Sequence, residues 1–176
     1  IKFKENYLFN KIDQTAILLS SNQEIDQLKM IKKNIQHKNK IITIKWKVGI
    51  KPDNKEEKIL ENILNELPTN FRLRIDANCG FCRKIANQWA DILKSNNNLD
   101  WLEQPLAAED IEGHRKLNKK IPIALDESLM KFPKLIDTWQ GWQIRRPSQE
   151  CNPSKLMKEL IDMKNFRSIS SSFEIG

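Results

Sequence analysis

The chain has 176 residues, of which 39% are hydrophobic and 30% charged, and its formal net charge is +7. That length suits one sizeable domain or part of a larger one. No apolar run approaches the roughly 18 residues that span a bilayer, and no signal peptide is visible, so no membrane partner is expected. The basic balance raises the question of nucleic acid, but the lysines are scattered over almost every segment. KKNIQHKNK (32–40) is the only dense run, and the pattern reads as a solvated surface rather than a binding stripe.

Three cysteines, Cys79, Cys82 and Cys151, form no pairing framework. An odd count suits a reducing compartment, and a cytoplasmic location is expected. Cys79 and Cys82 make a CGFC, but with no second CxxC and no nearby histidine it is not read as a metal or redox site. The sequence starts at Ile1 and ends on the strand-like SSFEIG, and it reads as a fragment.

In chain order the apolar period switches repeatedly. TAILLS (15–20) reads as a strand, and Ile25, Leu28, Ile31 and Ile35 as a helix stripe. IITIKWKV (41–48) is β-branched and strand-like. Ile59, Leu60, Ile63, Leu64 and Leu67 mark a helix that Pro68 ends. FRLRID (71–76) alternates as a strand, and Phe81, Ile85, Trp89 and Leu93 follow at helical spacing. LDWLE (99–103) is a strand before a weaker helix over 107–118. IPIALD (121–126) is a strand, with a short helix at Phe132, Leu135 and Ile136. GWQIRR (141–146) is a strand, Leu156, Met157, Leu160 and Ile161 a helix, and FRSISS (166–171) a last strand. Seven strands alternating with six helices predict a parallel sheet, either doubly wound or a β/α barrel. No GxGxxG follows a strand, which removes support for a dinucleotide site.

Acids end three successive strands: Asp76 in RIDAN, Glu103 in WLEQP and Asp126 in ALDES. Strand C-termini form the functional face of parallel β/α folds. One such acid alone is usually a helix N-cap. Three together repel unless a cation joins them, and an all-oxygen donor set suits Mg²⁺. Lys45 and Lys47 flank Trp46 on the second strand. They share one face about 6.6–6.8 Å apart by strand rise, and burial against a core would be costly. Facing the acids, Lys47 becomes a candidate general base. Lys45 and a bound metal are expected to lower its pKa, so that it can take a proton alpha to a carboxylate while Mg²⁺ holds the enediolate. The five tryptophans, Trp46, Trp89, Trp101, Trp139 and Trp142, read as packing residues.

KWK, RIDAN, WLEQP and ALDES, in this order and at these intervals, resemble the enolase superfamily, whose lysine base and Mg²⁺-stabilised enediolate are an established pattern. The KxK strand resembles the muconate-lactonizing group. KWKVG, WLEQPL, ALDES and SSSFEIG are most similar to the o-succinylbenzoate synthase family. The resemblance implies a (β/α)7β barrel over 15–176, with about seven of eight strands present, and a remnant of a capping region over 1–14. It implies Lys47 as catalytic base and acid, assisted by Lys45, and Mg²⁺ on Asp76, Glu103 and Asp126. Asn78 and Glu127 would stand just behind the metal, and Ser170, Ser171 and Ser172 would meet a small carboxylate substrate. On the sixth strand the family usually has IKP, where this chain reads IRRP, so Arg146 takes the lysine's place. Arginine stays protonated and cannot be a second base. This argues against racemases and epimerases, which need a base on each face of the substrate. Arg146 could still stabilise the enediolate or stack on the substrate ring. The reaction implied is dehydration of 2-succinyl-6-hydroxy-2,4-cyclohexadiene-1-carboxylate to o-succinylbenzoate, in menaquinone or phylloquinone synthesis. A muconate-type cycloisomerase, an inactive relative and a basic nucleic-acid-binding module are the alternatives. Oligomeric state is not legible.

Overall fold

The computed structural model describes residues 16–34, 40–51, 53–147, 149, 156, 158 and 167–169. Strands β1 (Ile17–Leu18), β2 (Ile42–Lys47), β3 (Phe71–Asp76), β4 (Leu99–Glu103), β5 (Ile123–Leu125), β6 (Trp142–Arg145) and β7 (Arg167–Ile169) form one sheet. Helices α1 (Glu24–Asn34), α2 (Asp53–Glu66), α3 (Arg83–Leu93), α4 (Ile111–Asn118), α5 (Glu127–Lys131) and α6 (Leu135–Thr138) connect β1 through β6. Every neighbouring pair is parallel, and the order in the sheet is the order in the chain. A doubly wound sheet reverses its order at a switch point. Here the winding never reverses, which is the progression of a β/α barrel, and the described strands form part of one.

Side chains alternate faces along each strand, and the two faces have different chemistry. Ile44 and Trp46 of β2, Leu73 and Ile75 of β3, Leu102 of β4, and Ile123 and Leu125 of β5 point to the helices and form one large buried core with them. The helices meet that core with i, i+3, i+4 stripes, such as Ala86, Trp89, Ala90 and Leu93 of α3. Trp89 lies 4.9 Å from Phe81 and 5.8 Å from Trp46, centroid to centroid. The opposite phase holds a smaller cluster of Trp101, Ala124 and Ile144, with Trp142 against it. All candidate site residues on β2 to β6 belong to this second, inward phase. Trp46, Trp89, Trp101 and Trp139 are buried and Trp142 half-buried, as their reading as packing residues requires.

Three elements differ from the sequence expectation. The helix after β5 is two short helices, because Pro133 disfavours a helical conformation at Phe132, whose φ is −129° and ψ 76°. Helix α2 begins at Asp53, earlier than its apolar stripe, and in its first turn Asn54 and Lys55 are exposed while Glu56 is buried. Helix α4 begins at Ile111, capped by Asp110, whose Oδ1 accepts from the backbone N–H of Gly113 at 2.9 Å. Of the expected helix at 156–161, Leu156 and Lys158 are described and both are helical. Ser170, Ser171, Ser172, Cys151, Ile35 and residues 1–14 lie outside the described residues.

The loop leaving β2 is pinned from one side. Gly49 has φ +82°, and a Cβ there would stand 3.1 Å from the Ala77 carbonyl oxygen. The buried Glu56 carboxylate accepts from the backbone N–H groups of Gly49, Ile50 and Lys51 at 2.8, 3.1 and 2.9 Å. Lys51 in turn donates to Glu24 of α1 at 2.6 Å. Charge-assisted bonds of this kind contribute more than neutral ones. Glu56→Ala is expected to lower stability by about 1–2 kcal/mol, since three backbone N–H groups of the loop lose a charged acceptor. A urea titration reads this as a fall in midpoint, and an unchanged midpoint would refute the pinning role.

Candidate active site

Register brings the strand ends level. Lys47 pairs with Asp76, and Asp76 with Glu103. The ladder continues past the strand ends: Val48 N–H donates to the Asp76 carbonyl at 2.8 Å, and Ala77 N–H to the Glu103 carbonyl at 3.0 Å. The carboxylates therefore sit on a hydrogen-bonded rim rather than on mobile loops.

Lys45 is the centre of the first cluster. Its Nζ lies 2.8 Å from Asp76 Oδ2 and 2.9 and 3.1 Å from the two oxygens of Glu103. Burial works against its charge, but Glu103 and Asp76 outweigh that and raise its pKa. Glu103 is almost fully buried, and its carboxyl is pushed up to about 7 by burial and by the neighbouring Asp76 charge, against the pull of Lys45. Trp101, two residues back on the same face, donates its Nε1–H to Glu103 Oε2 at 3.3 Å. The Arg74 guanidinium lies 4.1 Å over the Trp101 ring and donates to Asp100 at 3.0 Å.

Asp126 belongs to a second cluster. It stands at the N-cap of α5 but makes no side-chain cap bond. Instead both its oxygens take the fork of Arg146, at 2.7 Å from Nε and 2.6 Å from Nη2, with both side chains buried. Among the described residues, no three His, Cys, Asp or Glu side chains are gathered around one point. The structure thus joins Asp76 with Glu103 through Lys45, and holds Asp126 to Arg146 beside them.

Lys47 differs from both other cations. Its side chain is 46% exposed and its Nζ is 4.0 Å from Asp76 Oδ2. Asn78, at φ +41°, gives its backbone N–H to Asp76 Oδ1 at 3.2 Å and its amide to Glu127 Oε1 at 3.0 Å. Burial raises the Glu127 pKa, and its Oε2 has no hydrogen-bond partner among the described residues. Cys79 of the CGFC is pushed up to about 11 by burial and the Glu127 charge, so its thiol keeps its proton.

Three residues beneath the rim escaped the sequence reading. The Gln104 side-chain oxygen accepts from the backbone N–H groups of Asp126 and Ser128 at 3.0 and 3.1 Å. Its amide reaches Ser128 Oγ at 2.7 Å, the Leu106 carbonyl at 3.1 Å and His114 Nε2 at 3.2 Å. His114 Nδ1 is 2.8 Å from the Asp110 carbonyl, which can only accept, so Nδ1 carries the proton. Nε2 then accepts from Gln104 and from Leu106 N–H. Gln104 lies inside the WLEQP motif, so its position was visible, but its partners come from other segments.

The donor chemistry fits a hard divalent cation. Among the described residues, the three buried carboxylates are met closely by Lys45 and Arg146, with Lys47 farther off at 4.0 Å from Asp76, and the Glu103 carboxyl stays well above its usual range. Added positive charge would relieve that imbalance.

An unfolded glutamate titrates near 4.3. Because the folded Glu103 holds its proton up to about 7, its contribution is fully present below that unfolded value and is lost as pH rises toward 7. The stability of the parent protein minus that of Glu103→Gln is therefore expected to fall between pH 4.5 and 7. Denaturant titrations across that range test this, and a flat or rising difference would refute it.

An enolase C-terminal domain-like family model matches residues 30–140. The o-succinylbenzoate synthase of Thermosynechococcus vestitus is 35% identical over 106 residues, 57% of this chain and 33% of that protein. An L-Ala-D/L-Glu epimerase of Francisella tularensis subsp. novicida is 30% identical over 123 residues, 68% of this chain and 34% of that protein. Among solved structures, o-succinylbenzoate synthase from Thermosynechococcus elongatus BP-1, complexed with Mg in its active site, superposes with a TM-score of 0.74. It is 27% identical, covering 90% of this chain and 52% of that one. Muconate cycloisomerase from Pseudomonas fluorescens gives 0.68 at 21% identity, with 84% and 42% covered, a likeness of fold alone. The matches thus span about a third of the length of these curated relatives and about half of the solved chains.

Proposed function

Because the chain belongs to the enolase C-terminal domain-like family, we propose that it is the barrel part of a one-base, Mg²⁺-dependent carbon–oxygen lyase of the o-succinylbenzoate synthase type. The substrate would be 2-succinyl-6-hydroxy-2,4-cyclohexadiene-1-carboxylate. One observation carries this reading. Of the three cations on the inward rim nearest the acids, Lys45 and Arg146 are held on carboxylates, while Lys47 is half-exposed and 4.0 Å from Asp76. Lys47 is the amine placed to exchange a proton with a ligand in the mouth.

Asp76, Glu103 and Asp126 would hold Mg²⁺, which when bound supplies positive charge for the substrate carboxylate. Lys45 would add a second fixed charge on the same side, kept protonated by its two acids. In the step proposed, the Lys47 amine takes the proton alpha to the carboxylate. The electron pair left on carbon then expels the ring hydroxyl at the β-carbon. The Lys47 ammonium returns the proton to that leaving group, which departs as water as the ring becomes aromatic. The same face serves both proton transfers, so no second base is required.

Arg146 separates this reading from epimerisation, to which one relative also points. A racemase or epimerase needs a base on the opposite face, and a guanidinium paired to Asp126 cannot deprotonate carbon near neutral pH. Lys47→Ala in the complete protein is expected to lower turnover at least about 10³-fold, within the range that a general acid–base residue supplies. EDTA is expected to abolish turnover and added Mg²⁺ to restore it. Ultraviolet absorbance of the aromatic product reports both, and retained turnover in Lys47→Ala would refute the assignment.

A further inference from the structure

We infer that Arg146 is an internal competitor for the metal site: a divalent cation must displace its guanidinium from Asp126 to bind there. The inference rests on the metal-binding reading above and adds a role for the residue by which this chain departs from its family's lysine.

The geometry is specific. Two parallel N–H···O bonds of 2.7 and 2.6 Å occupy one lone-pair direction on each oxygen of Asp126. Both side chains are only 3% exposed, so water offers either of them little alternative. An oxygen that a hard cation would coordinate is thereby committed to a planar, permanently charged fork. Arginine also cannot yield by deprotonation. A lysine at the same place would present a single point charge on a flexible stem, without the bidentate fit. Asp76 and Glu103 face a different situation, because a single ammonium, Lys45, is shared between them and offers no planar fork that claims one carboxylate for itself. The fork on Asp126 therefore imposes a cost on metal entry, the breaking of a buried, two-bonded ion pair.

The test uses Mn²⁺, which takes the same oxygen ligands as Mg²⁺, and measures free Mn²⁺ by electron paramagnetic resonance in titrations of the complete protein. Arg146→Gln is expected to bind Mn²⁺ about tenfold more tightly than the parent, and Arg146→Lys about threefold, because the first removes fork and charge and the second only the fork. In an Asp126→Asn background the gain from Arg146→Gln should vanish. A second readout is thermal: Mg²⁺ should raise the Tm of Arg146→Gln more than that of the parent, since a tighter ligand stabilises more at equal concentration. If neither variant binds Mn²⁺ more tightly than the parent, the competition is refuted while the metal reading stands. If no form of the protein binds Mn²⁺, both fall. Should Arg146→Gln fail to fold, the Arg146→Lys affinity alone decides, and one equal to the parent's overturns the inference.

Discussion

The rim depends on one ammonium group. Asp76 and Glu103 end adjacent strands at the same level, and in a buried setting two such carboxylates repel each other. Lys45 Nζ sits within hydrogen-bond reach of both, and without it two neighbouring strand ends would carry buried, poorly compensated charge. The cost of that arrangement is visible in the Glu103 carboxyl, which still prefers to keep a proton until near neutrality. The site is thus held together by a cation yet remains short of positive charge. That combination suits a surface that receives both a divalent ion and an anionic ligand.

A polar scaffold supports this balance from below. Gln104 fixes the start of α5 by accepting from the Asp126 and Ser128 amides, and His114 and Ser128 fix Gln104 in turn. Glu56 does comparable work for the loop beyond Lys47. Buried networks of this sort specify one geometry because any alternative leaves donors unpaired. They explain why charged side chains can stand at the strand ends without dragging the backbone toward water.

Much of this was legible from residue order alone. Alternation of strand and helix periods gave the parallel sheet, and the acids of RIDAN, WLEQP and ALDES fell at the strand ends where the structure has them. The period-two pattern of KWK also placed both lysines on the inward phase. What periodicity could not show is which charge meets which. That Lys45 joins two acids while Arg146 takes the third depends on side chains that converge across strands. The support from Gln104, His114 and Ser128 was hidden for the same reason, since a lone histidine on a helix carries no spacing signal. The split after β5 was missed because the apolar positions at Phe132, Leu135 and Ile136 outweighed the local effect of Pro133.

The uninterrupted order of the strands also bears on how the chain comes together. Each strand pairs with the one before it, from Ile17 with Ile44 to Gln143 with Arg167, and no described strand waits for a partner from the far end of the sequence. Loop-closure entropy is then modest and nearly equal at each step. Such a sheet can grow one β/α unit at a time as the polypeptide leaves the ribosome, with each arriving strand meeting an edge already in place. Lys45 and Asp76 come together once β3 pairs with β2, Glu103 joins at the next strand, and Asp126 and then Arg146 follow with β5 and β6.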